Sequence, residues 1–132
     1  MGKMTVYHGS YTAVECPEII KKRNTKDFGP GFYCTVIREQ AVRWAMRYNT
    51  PIVNTYTVRM NTALKILEFR EMTEEWLDFI IACRHGDSHT YDIVIGAMAK
   101  FKYPTHQINF CTPAALKCLE YVFIESLRPK PY

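Results

Sequence analysis

The chain has 132 residues, 48% of them hydrophobic, with a net charge of +4. That length fits one domain, and it is enough to bury a core without disulfide or metal staples. No run is long and apolar enough to cross a bilayer, which excludes a helical membrane protein, and the mild basic excess is compatible with a polyanionic partner.

The N-terminus, MGKMTVYHGS, has no extended apolar run for a secretory signal, and Val6 stands where a myristoylation signal needs Ser or Thr. A cytoplasmic start is expected, with delivery elsewhere by a specialised secretion machine left open. Met4–His8 reads as a first strand, because Thr5, Val6 and Tyr7 favour extended backbone. Pro17 opens a short predicted helix, PEIIKKR, whose Lys21-Lys22-Arg23 run reads as a solvated helix end. Asn24–Gly31 is a loop and Phe32–Val36 a second strand. Arg38–Tyr48 is predicted helical, with Ala41, Trp44, Ala45 and Tyr48 on one face. Asn49-Thr50-Pro51 breaks it.

Ile52–Arg59 is a β-branched strand and Lys65–Phe69 a shorter one. Thr73 is placed to cap the helix TEEWLDFIIACR, with Glu74 and Glu75 where the helix dipole favours acids. Gly86–Thr90 is a loop, and Asp92–Met98 (DIVIGAM) a buried strand. His106–Phe110 is a strand, Thr112-Pro113 starts a helix to about Leu119, and Tyr121–Glu125 is a last strand before a PKPY tail. Strands outnumber helices in irregular alternation, so the expected class is α+β, in a single domain over residues 1–132. The passage from Met98 into AKFKYPTHQ carries no turn residue before Pro104, as if a connecting segment were missing near Ala99–Lys100.

The five cysteines (16, 34, 83, 111 and 118) form no C-x-x-C pair and read as reduced, mostly buried thiols. CRHGDSH brings Cys83, His85 and His89 close in sequence, but without a second ligand cluster at zinc spacing no metal site is expected.

Three pieces carry polar or aromatic groups at strand ends: VYHGS at 6–10, FGPGFYCT at 28–35 and HQINF at 106–110. Singly, each also reads as a core histidine, a core aromatic step and a surface amide. In order, VYHGS followed by FGPGFY resembles the ADP-ribosyltransferase superfamily, in the His–Tyr–Glu branch that includes diphtheria toxin and the poly(ADP-ribose) polymerases. That branch places a second aromatic eleven positions beyond its Tyr, where this chain has Trp44. KDFGPGFYCT, EQAVRWA, EEWLDF, YDIVIG and ALKCL are further similar to an uncharacterised bacterial family of that superfamily, a domain of unknown function. Its members carry a helical insert between the YDIVIG-like strand and the Gln strand, where this chain is shorter.

The resemblance implies a split pair of antiparallel sheets with flanking helices. It implies NAD as the substrate, bent in a cleft. Gly29-Pro30-Gly31 would let backbone approach the dinucleotide, since glycine has no side chain to clash. Tyr33 and Trp44 would sandwich the nicotinamide, Gly9 would hydrogen-bond its carboxamide with Ser10 nearby, and His8 would hold a ribose hydroxyl. Two residues compete for the signature Glu that begins a late strand: Glu120 follows the ALKCL helix, whereas Gln107 precedes it, and Gln107 is chosen. His8, Tyr33 and Gln107 are thus the expected catalytic residues; His8, Gly9, Ser10, Gly31, Tyr33 and Trp44 the expected NAD contacts. An amide can orient a hydroxyl but is no general base, so transfer of a single ADP-ribose is expected rather than polymer synthesis. Asp27 and Asp92 are the acids nearest the motifs. The implied role is a toxin or defence enzyme modifying nucleic acid or protein, with an antitoxin-like partner and no membrane. An NAD glycohydrolase, a non-catalytic NAD-binding module and a basic nucleic-acid-binding domain stay as alternatives.

Overall fold

The computed structural model describes residues 3–19, 26–99 and 105–127. Their elements run β1 (Met4–Ser10), β2 (Phe32–Cys34), α1 (Arg38–Ala45), β3 (Ile52–Val58), β4 (Ile66–Glu68), α2 (Glu74–Arg84), β5 (Ile93–Gly96), β6 (Gln107–Phe110), α3 (Pro113–Leu116) and β7 (Leu119–Ser126). The α+β expectation holds. The proposed helix at 17–23 does not form over residues 17–19, and the rest of it, like Lys100, Pro104 and the tail, lies outside the described residues.

The strands form a sheet ordered β1-β3-β7, antiparallel throughout, and another ordered β2-β6-β5-β4. The expectation of two purely antiparallel sheets fails at one edge, where β4 and β5 run parallel. The reason is the chain between them: a crossover that carries the whole of α2 returns the chain to the same end of the sheet, so the pair must be parallel. α1 ends at Ala45, three residues short of the expectation, as the chain turns ahead of Pro51.

The main core lies between the sheets, where Val6, Tyr56 and Val58 of the first meet Phe32, Cys34, Ile93, Ile95, Ile108 and Phe110 of the second. The far face of the second sheet packs Val94 under Trp76 and Ile80 of α2. Thr73 caps α2 as its sequence predicts, its side chain accepting a hydrogen bond from the Trp76 N–H. α1 lays Ala41 and Ala45 on β3 at Val53 and packs most closely at Gly9 of β1. A Cβ at Gly9 would lie 2.1 Å from the Ala41 carbonyl, so the helix rests directly on that strand. β5 and β6 are buried on both faces, which is why IVIG and QINF lack the polar alternation of a half-exposed strand.

Candidate functional site

Among the described residues the main chains of the two sheets are joined at an isolated bridge, in which Tyr7 and Thr35 exchange both backbone hydrogen bonds, at 2.8 and 2.9 Å. In an antiparallel ladder the residues that bond to one neighbour alternate with those that face the other way. Tyr7 faces β2, so Gly9, two residues on, also directs its N–H and C=O away from β3 towards the β2 side. The next rung would join Gly9 to Tyr33. Among the described residues no backbone hydrogen bond makes it.

The Tyr33 carbonyl is met instead by the His8 side chain. Its Nδ1–H donates to the Tyr33 carbonyl at 2.6 Å, and its ring stacks on Phe32 at 4.2 Å. A carbonyl only accepts, so the proton sits on Nδ1 and Nε2 keeps its lone pair. Burial lowers the imidazole pKa to about 4, with Lys26 lowering it further and the Tyr33 hydrogen bond opposing. At neutral pH the ring is therefore uncharged, and Nε2 is an acceptor suited to a hydroxyl.

The FGPG loop is fixed from beneath. Phe28 is fully buried among aromatic side chains, 6.1 Å from Phe79. Gly29 has φ of 84°, a left-handed conformation that favours glycine. Asn109 of β6, fully buried, donates from Nδ2 towards three loop carbonyls: Phe28 at 3.1, Gly29 at 3.3 and Pro30 at 3.2 Å. A Cβ on Gly31 would sit 2.0 Å from Asn109 Oδ1. The close approach that Gly31 permits in this structure is thus to the Asn109 amide. Tyr33 closes the loop, its hydroxyl donating to the Gly29 carbonyl at 2.6 Å and accepting from the Phe28 N–H at 3.0 Å. Burial pushes that phenol far above its ordinary pKa of 10, so it stays protonated. Its ring is half-buried, with Lys26 Nζ 5.8 Å from the centroid.

Gln107 opens β6, is 4% exposed and shares a face with Asn109 and Tyr33 by strand alternation. Its Nε2 donates to Asp27 Oδ2 at 3.1 Å and to the Ala97 carbonyl at 3.4 Å. Asp27 is buried too: Oδ1 accepts from Arg84 Nε at 2.9 Å and from its terminal nitrogen, and Oδ2 accepts from the Ala99 N–H at 2.9 Å.

The structure thus joins His8, Gly31, Tyr33 and Gln107 through the 27–33 loop, with His8 meeting Tyr33 at its main chain. Trp44 is half-buried on α1, its Cβ 3.0 Å from where a Gly9 side chain would begin, and Ser10 is buried at the end of β1. Asp92 serves elsewhere: it accepts from Thr112 Oγ1 at 2.7 Å and from the Lys65 N–H at 2.9 Å, tying β4 to α3, and those bonds lower its pKa. Glu120 is on the surface, 3.7 Å from Arg59.

Sequence reasoning missed Asn109 and Gln40, and gave Asp27 no partner. Gln40 of α1 brackets His106: Nε2 donates to its carbonyl at 2.7 Å and Oε1 accepts from its N–H at 3.1 Å. The one available signal was a polar residue inside an apolar run, as Asn109 is between Ile108 and Phe110.

In the CRHGDSH stretch, His89 Nδ1 accepts from the Tyr91 N–H and Nε2–H donates to the Phe28 carbonyl, so both ring nitrogens serve the fold. Burial raises the Cys83 thiol to about 11 and Cys111 to about 12, which keeps both protonated and poorly nucleophilic. Among the described residues no helix is long and apolar enough to cross a membrane.

The protein is of the α+β class, with a candidate site built where its two sheets part. The chain belongs to the family described as Protein of unknown function (DUF3990), whose model matches residues 4–103. That match takes in His8, Gly9, Tyr33, Trp44 and Asp27 and stops short of Gln107. No curated protein matches the chain.

Proposed function

We propose that the chain has the split-sheet fold of the His–Tyr–Glu ADP-ribosyltransferases and moves a single ADP-ribose from NAD to a macromolecular acceptor. The observation that carries this reading is the broken rung between Gly9 and Tyr33, with the neutral His8 ring bonded to the Tyr33 carbonyl. Gly9 offers an N–H and a C=O side by side, the complement of a carboxamide. His8 Nε2 accepts from a ribose hydroxyl. Tyr33 and Trp44 give stacking faces, each worth on the order of 1 kcal/mol beyond burial. Gln107 accepts from the nicotinamide ribose.

These groups hold NAD while its glycosidic bond stretches and the ribose gains oxocarbenium character. Gln107 is uncharged, so it stabilises that cation less than a carboxylate would, and the acceptor must be a competent nucleophile. The net charge of +4 favours nucleic acid over protein as acceptor, because phosphate contacts need Lys and Arg. The reading places the enzyme in the cytoplasm as a toxin or defence factor held in check by an antitoxin-like protein.

A non-catalytic NAD-binding module is the second reading. It is favoured by the Gln107 amide, which has no base function and whose nitrogen is already committed to Asp27 and Ala97.

The test is incubation with NAD labelled in its adenosine half, with cell extract, beside Gln107→Ala and Tyr33→Ala. Transfer predicts a labelled macromolecule in the wild type alone, released by nuclease if the acceptor is nucleic acid. Free ADP-ribose without acceptor means a glycohydrolase. Calorimetric NAD binding without turnover means the binding module. No NAD binding at all ends the NAD reading.

A further inference from the structure

We propose that Asp27 is a positioning residue that locks the Gln107 amide in one orientation, making position 107 an acceptor of ligand hydrogen bonds and never a donor. This rests on the NAD reading of the same site. Gln107 Nε2 carries two hydrogens, and two groups face it: Asp27 Oδ2 at 3.1 Å and the Ala97 carbonyl at 3.4 Å. Neither can donate, so both hydrogens point into the protein and Oε1 points away from them.

Asp27 cannot yield to a flipped amide, because it is held from three directions. Arg84 of α2 holds Oδ1, the Ala99 N–H reaches Oδ2 from the chain leaving β5, and the backbone of Asp27 is tethered by the neighbouring Phe28, fully buried. Rotating the Gln107 amide by half a turn would set Oε1 against a carboxylate oxygen, losing two hydrogen bonds in a site 4% exposed. Such a state is disfavoured on the order of a hundredfold or more.

The consequence is selectivity. An oxygen backed by a buried carboxylate welcomes a hydroxyl or N–H donor and repels phosphate and carboxylate. At position 107 the chain therefore selects a sugar whose hydroxyl is free and rejects one whose hydroxyl carries a phosphate. A glutamine with a freely turning amide would accept both.

The experiment measures NAD affinity by calorimetry, melting temperature, and the side-chain ¹H–¹⁵N signals of Gln107, on the full chain. The variants are Asp27→Asn, Gln107→Glu and the double exchange Asp27→Asn/Gln107→Glu. The wild type should show slowly exchanging Gln107 amide protons without ligand. Asp27→Asn should abolish that protection and weaken NAD about tenfold. Gln107→Glu should weaken it as well, since two carboxylates then face one another across a hydrogen-bond distance. The double exchange reverses donor and acceptor between the two side chains, because the introduced amide at 27 donates to the introduced carboxylate at 107; the Ala99 N–H and the Ala97 carbonyl lose their partners, so it should recover part of the affinity lost in Gln107→Glu. A purely structural role would lower melting temperature in all three without recovery of binding in the double exchange, and that result overturns the proposal. So does a Gln107 amide that turns freely in the wild type. A locked amide in a chain that binds no NAD upholds the lock and overturns the NAD reading alone.

Discussion

Acidification is the perturbation that most directly probes the broken rung. The folded protein keeps His8 neutral down to a pKa of about 4, against 6.5 for an ordinary imidazole. Between those values the unfolded chain binds a proton that the folded chain does not, so stability falls as pH drops through that window. Each pH unit is worth about 1.4 kcal/mol, so roughly 3 kcal/mol is lost on going from pH 6.5 to pH 4. That is a large part of the 5–15 kcal/mol typical of a whole domain. Carboxylates titrate in the same range, so the comparison must be with a variant that differs only at the ring. His8→Asn is suitable, because its amide nitrogen falls about where Nδ1 lies and can still donate to Tyr33. Urea unfolding at half-unit steps from pH 7 to pH 4 should show the wild type losing about 3 kcal/mol more than His8→Asn, with the curves parting below pH 6.5. Parallel curves would mean that the imidazole is hydrated in the folded protein, and the claim that burial keeps it neutral well below pH 6.5 would go with it.

Gly9→Ala should destabilise the fold by about 2 kcal/mol or more, since its methyl would meet the α1 backbone at 2.1 Å, and a urea midpoint unchanged from wild type would contradict the packing. Asn109→Ala should cost about 2–3 kcal/mol by releasing the loop carbonyls, and proteolysis at residues 28–31 should accelerate. Gly31→Ala should be less costly in the Asn109→Ala background than alone, because the side chain 2.0 Å from its methyl is gone; additive losses in the double-mutant cycle would refute the contact. Thr73→Ala should lower stability by about 1 kcal/mol through loss of the α2 cap, as read by urea unfolding, and an unchanged midpoint would contradict the cap.

What the sequence made legible follows the range of the interactions. The β-branched run at 52–58 and the Thr73 cap with its two glutamates are decided within a few residues, and they stand where expected. The parallel β4–β5 pair needed the path of α2, a property of the connection rather than of either strand. Asp27 meets Arg84 and Gln107 across 57 and 80 positions of chain, and no periodicity reports a contact of that kind. The glycines of FGPG were legible as a place of close approach. Which group approaches Gly31 was not, because Asn109 reads as one polar letter in an apolar strand until β2 and β6 are seen to pair.

A gap in a ladder carries a physical cost that the residues around it must offset. Where Tyr7 and Thr35 pair, both chains satisfy their backbone groups, and one rung further the pairing would do so again at Gly9 and Tyr33. A regular rung there would consume the Gly9 N–H and C=O. The His8 imidazole satisfies the Tyr33 carbonyl from the side and so removes the main reason for the rung to form. It does this with one nitrogen and keeps the other as an acceptor. A Ser hydroxyl ends one atom nearer the main chain than Nδ1 and so falls short of the Tyr33 carbonyl from the same backbone. Leucine would leave the carbonyl buried without a partner, at a cost of about 1–3 kcal/mol. Under the proposed function residue 8 meets two demands at once, a donor for the strand it faces and a lone pair for a ligand hydroxyl, and an imidazole meets both from one rigid ring.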